Sequence, residues 1–68
     1  MAYYYVNMTP QPTGEHEVHI STCTYLKQAH SKFPLGECSS CAEAIQKAKV
    51  LYNNVDGCFY CCPQCHTK

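Results

Sequence analysis

Glu15-His16-Glu17-Val18-His19-Ile20-Ser21-Thr22-Cys23 is the stretch on which the fold turns. From Glu15 to Ile20 it alternates. His16, Val18 and Ile20 fall on one face of an extended chain, and Glu15, Glu17 and His19 on the other, because successive strand side chains point to opposite sides. The stretch then runs into His19-x3-Cys23, two ligand-type residues where the strand should end.

Upstream, Tyr3 to Met8 is aromatic and β-branched and reads as a second strand. Tyr4, Val6 and Met8 would share one face, and Tyr3 and Tyr5 the other. Pro10, Pro12 and Gly14 between the two segments are turn chemistry, so the pair is expected to form an antiparallel N-terminal β-hairpin. A lone hairpin is not stable in water and needs a packing partner.

The partner is the next periodic segment. Ser40 and Glu43 fit a capping box. Cys41, Ala44, Ile45, Ala48, Leu51 and Tyr52 then recur at helical spacing, with Glu43, Gln46, Lys47 and Lys49 mostly opposite. The spacing predicts one helix over residues 40–53, fading at Asn53 and Asn54 before the turn dipeptide Asp56-Gly57. Residues 21–37 read as irregular, with Leu26, Phe33 and Leu35 covering one side of the core. Residues 58–68 read as a metal-ligand loop.

Cys58-Phe59-Tyr60-Cys61 is a C-x2-C pair, a spacing that lets both thiolates turn onto one tetrahedral ion about 2.3 Å from each sulfur. Joined to His19 and Cys23, it makes a quartet of three cysteines and one histidine, expected to hold one zinc and to clip the hairpin to the far end of the chain. Cys38, Cys41, Cys62 and Cys65 form two further C-x2-C pairs. They are compatible with a second zinc, with disulfides or with free thiols. Cys61 and Cys62 are adjacent, so a second site would require their side chains to serve two closely spaced ions. Cys65 or His66 could also replace a member of the first quartet.

His19-x3-Cys23, Phe33, Ala44 and Gly57-Cys58-x2-Cys61-x-Pro63 together resemble the Ada-type zinc-binding module, over about residues 18–63. That module occurs in the bacterial methylphosphotriester repair protein. With a histidine ligand it also closes some bacterial nucleases and competence proteins. The resemblance implies a zinc held by the strand-end pair and the knuckle, with the helix beginning near Ser40, Glu43 and Ala44. The extra cysteines and the lack of arginine depart from a DNA-repair module. The chain is also similar to short bacterial proteins with "YYVN", "HEVH" and "CHT", here Tyr4 to Asn7, His16 to His19 and Cys65 to Thr67.

Composition bounds the rest. The chain has 68 residues and seven cysteines. A domain this small buries only about 60% of the surface its unfolded chain exposes and usually needs a staple. Residues 1–68 are read as a single zinc-binding domain, α+β, with a hairpin, one helix and a C-terminal cysteine knuckle. Residues 1–8 lack a signal-peptide pattern, which points to a cytoplasmic setting where clustered thiols bind metal rather than pair as disulfides. Five basic residues, all lysine, balance five acidic ones. That disfavours a nucleic-acid partner, and no apolar run approaches the roughly 20 residues of a membrane span.

His16-Glu17-Val18-His19 is not a zincin motif, because its histidines lie on opposite strand faces. Tyr3, Tyr4 and Tyr5 are assigned to packing rather than to base stacking. The expected role is a structural zinc module that contacts another protein, with no catalytic residue. The competing readings are a thiol or zinc-thiolate enzyme, redox or alkyl-accepting, and a weak nucleic-acid binder. For the redox reading, Cys38 and Cys41 flank a helix N-terminus that would lower a thiol pKa.

Overall fold

The computed structural model describes residues 1–67, the Gln28 side chain excepted. β1 (Ala2–Asn7) and β2 (His16–Ile20) pair antiparallel, Tyr4 opposite Ile20 and Val6 opposite Val18. The expected hairpin is therefore present. Its loop is drawn in by the Gln11 N–H donating to the Glu15 carbonyl at 2.8 Å and the Gly14 N–H donating to that of Gln11 at 2.7 Å. Tyr4, Val6 and Val18 are buried in one apolar cluster beneath the helix. Tyr3 and Tyr5 share the other face, their ring centroids 5.2 Å apart. Met8, grouped on one face with Tyr4 and Val6, lies past the strand end and is exposed.

Two further strands complete the sheet. β3 (Lys32–Cys38) pairs antiparallel with β1, and β4 (Val55–Gly57) pairs parallel with β2, giving the order β3-β1-β2-β4. Residues 21–37 are thus not irregular: they hold a 3-10 turn at Thr24–Gln28 and most of β3. Pro34 is accepted because β3 is an edge strand, where a missing N–H leaves no central ladder bond broken. The register shifts between Tyr4 and Tyr5, and Gly36 takes a φ of 87°, a conformation open chiefly to glycine. Leu26 is buried and Leu35 half-buried, but Phe33 is 42% exposed and does not cover the core.

Asp56-Gly57, expected to be a turn, instead lies in β4, Asp56 opposite Glu17 and Gly57 opposite Val18. The buried Asp56 carboxylate accepts from the Thr67 backbone N–H at 2.9 Å and its hydroxyl at 2.8 Å, which fastens the end of the chain to the strand. Lys68, one of the lysines weighed above, lies outside the described residues.

α1 (Cys41–Ala48) lays Cys41, Ala44 and Ala48 on the sheet. It is shorter than the expected span of 40–53. After Ala48 the chain tightens: the Val50 N–H reaches Lys47 O at 3.3 Å and the Leu51 N–H reaches Ala48 O at 2.9 Å, three-residue bonds that end an α-helix. Leu51, placed on the apolar stripe, is consequently 45% exposed. Tyr52 still packs inward, stacking on His16 with centroids 3.7 Å apart.

At the helix start the Glu43 N–H donates to Ser40 Oγ at 3.3 Å. The Glu43 carboxylate does not return to Ser40 as a capping box would have it. It accepts from the Ser39 N–H and hydroxyl, each at 2.7 Å, which holds the Glu43 carboxyl below its ordinary pKa. Replacing Ser40 by Ala should cost about 0.5–2 kcal/mol, read as a lower urea midpoint with an unchanged slope in the metal-loaded protein.

Candidate metal centre

Each of the four expected ligands is placed by a neighbouring backbone bond. β2 carries Glu17 and His19 on the face away from the main apolar cluster. After Ile20 the chain turns, with the Cys23 N–H on Ile20 O at 3.0 Å. On the other side, the parallel β2–β4 ladder extends to a bond from the Cys58 N–H to Val18 O at 3.0 Å, which sets Cys58 beside His19. The Cys62 N–H on Cys58 O at 2.8 Å closes the knuckle, and the Ile20 N–H donates to Cys61 Sγ at 3.4 Å.

The ligand atoms of His19, Cys23, Cys58 and Cys61 all lie within 4.8 Å of one another. Cys23 Sγ and Cys58 Sγ are 3.9 Å apart, as are Cys61 Sγ and His19 Nδ1. A tetrahedron of zinc–sulfur bonds has edges of about 3.8 Å, so the quartet is spaced for one ion with little adjustment. Among the described residues no other such group of three or more converges this closely.

The surroundings suit a cation. His19, Cys23 and Cys58 are buried and Cys61 is half-buried. Burial pushes the Cys58 thiol up, and the Cys61 thiol up to about 12, while it lowers His19 so that the imidazole stays neutral. Thiolates are thus disfavoured here unless a positive ion accompanies them. Three thiolates and one imidazole fill a tetrahedral shell and can hold a metal ion with no position left open.

The sequence places Glu17 on the strand face of His19 without giving it a role. In the structure its Oε1 lies 3.4 Å from His19 Nε2, on the side away from Cys61. A carboxylate behind a ligating histidine fixes its tautomer and ring orientation. The signal was available in the alternation, which sets Glu17 and His19 on one face. Glu17→Ala should weaken zinc binding by about 10–100-fold, measured by competition with a chromophoric chelator. Glu15, grouped with Glu17 and His19 on one strand face, is buried.

Over the site, Tyr25 and Tyr60 stack with centroids 4.4 Å apart, and Phe59 meets Tyr60 edge-on at 5.2 Å. His66 does not join the quartet, because its Nδ1 lies 3.0 Å from Gly57 O and 3.2 Å from Asp56 Oδ2. Cys65 packs against the other apolar cluster, with Cys38, Cys41 and Cys62. All seven cysteines are free thiols. No helix among the described residues is long and apolar enough to cross a membrane. No protein-family model, curated protein or solved structure matches the chain. What the fold and site define is a small α+β domain with a clustered histidine and three cysteines that could hold a metal ion.

Proposed function

We propose that this is a zinc protein whose ion is structural, and that the domain it staples serves as a contact module for another protein in the cytoplasm. The convergence of four donor atoms within 4.8 Å carries the reading. Zinc is favoured over harder ions because three of the four donors are thiols. A shell filled by protein donors suits a structural rather than a catalytic ion. The contact role rests on the aromatic surface beside the site, where Tyr25 is 42%, Phe59 58% and Tyr60 64% exposed. Aromatic side chains are enriched where proteins meet.

The Ada-type resemblance is kept for the metal-binding architecture and not for DNA repair. Tight binding to duplex DNA needs several basic side chains on one face. Here the formal net charge is zero and arginine is absent. The test has two arms. Metal analysis of protein purified without added zinc should find zinc bound. An anisotropy titration with duplex DNA near physiological salt should show no binding at micromolar protein. Micromolar or tighter binding, or methyl transfer from a methylphosphotriester onto a cysteine, would replace this reading with the repair-like one.

A further inference from the structure

We propose that Cys38, Cys41, Cys62 and Cys65 form a second metal site, an all-thiolate one for zinc or a similarly soft divalent ion, on the helix side of the sheet. The sequence spacing is that of paired zinc knuckles: two C-x2-C pairs with twenty residues between Cys41 and Cys62. The fold brings the two pairs together. Cys38 ends β3, Cys41 begins α1, and the other two bracket the 3-10 turn Pro63–Cys65 packed against that helix. Cys38, Cys41 and Cys62 are buried in one cluster, and Cys65 packs on it. The Cys41 side chain interacts with those of both Cys62 and Cys65.

Cys61 and Cys62 are adjacent but differently placed: Cys62 is buried in the cluster beneath α1, while Cys61 is half-buried between that cluster and the one formed by Cys23, Leu26 and Cys58, where its sulfur joins the quartet. The second knuckle is closed as the first is, here by the Cys65 N–H on Cys62 O at 3.0 Å.

The second group is looser than the first. Binding requires the four thiols to draw together, and Cys38, whose Sγ faces Gly36 O at 3.7 Å, must turn away from that carbonyl. Binding forms four metal–sulfur bonds and breaks four S–H bonds, whose protons go to solvent.

Native mass spectrometry of the full chain, expressed with zinc and purified under reductant, reads the stoichiometry. Two zinc ions per chain are expected. Cys38→Ser with Cys65→Ser should reduce this to one, the ion of the quartet, so failure of this site is told apart from failure of both. Should the double variant not fold, cobalt titration of the unaltered chain gives the second readout. Two equivalents should bind, the all-thiolate site giving the stronger sulfur-to-cobalt charge transfer. A single metal per chain, or a mass lowered by a disulfide among these four cysteines, would overturn the proposal.

Discussion

A strong chelator at neutral pH should unfold the metal-loaded protein. Structural zinc in small modules contributes an apparent binding free energy of about 10–16 kcal/mol, whereas a core this size rarely supplies more than about 3–5 kcal/mol. The architecture makes the dependence acute. β4 is three residues long, and the knuckle after it meets β2 and the Cys23 turn through the quartet, the Cys58 N–H bond to Val18 O and the Tyr25–Tyr60 stack. With the ion gone, three thiols and an imidazole would remain at a largely buried site with little to bind them together. The loss should appear as collapse of amide dispersion in the NMR spectrum and of far-UV signal, both restored by zinc. His19→Ala should reproduce most of it without chelator. Binding releases thiol protons, so zinc affinity should also fall as pH is lowered. A native spectrum after complete metal removal would show that the apolar cluster alone suffices.

The hairpin and the helix start could be read from the sequence because their signals are local. The alternation of Glu15 to Ile20 needs no knowledge of neighbours, and neither does Ser40 ahead of Glu43. β3 and β4 could not be read in that way. Pro34 and Gly36 look like breakers until β1 supplies the one neighbour an edge strand needs. Asp56-Gly57 looks like a turn until a parallel partner is at hand, and that partner, β2, is almost forty residues upstream.

The site divides in the same manner. Spacing alone was enough to name His19, Cys23, Cys58 and Cys61, and the structure draws their donor atoms together. It could not show how the imidazole is held, because that depends on where the Glu17 carboxylate comes to rest behind it. Nor could spacing show how adjacent Cys61 and Cys62 divide, Cys62 buried beneath α1 and Cys61 reaching across to the quartet, which is a property of the backbone between the two knuckles.

Gly57→Ala should be among the most damaging single methyl additions in the chain. A Cβ at Gly57 would lie 2.7 Å from Cys65 Cβ, 2.9 Å from Cys62 O and 3.0 Å from Cys62 Cβ. None of these atoms is the far end of a flexible side chain, so relief requires moving backbone. The knuckle must shift off β4, or β4 must shift off β2 and carry Cys58 from its bond to Val18 O. Overpacking of this kind typically costs about 1–3 kcal/mol, and a rigid neighbour puts the change at the upper end. In a domain this size each kcal/mol lowers the melting temperature by about 4–8 °C. Gly36→Ala is the informative control. No atom lies within 4 Å of its added Cβ, so its cost is the left-handed backbone alone, about 1–2 kcal/mol. Gly36 also belongs to β3, away from the quartet, so its substitution should leave the quartet's zinc affinity unchanged, whereas Gly57→Ala should weaken it as well as stability. Unchanged zinc affinity in the Gly57 variant would mean that the two knuckles move together, and that β4 does not set the position of Cys58.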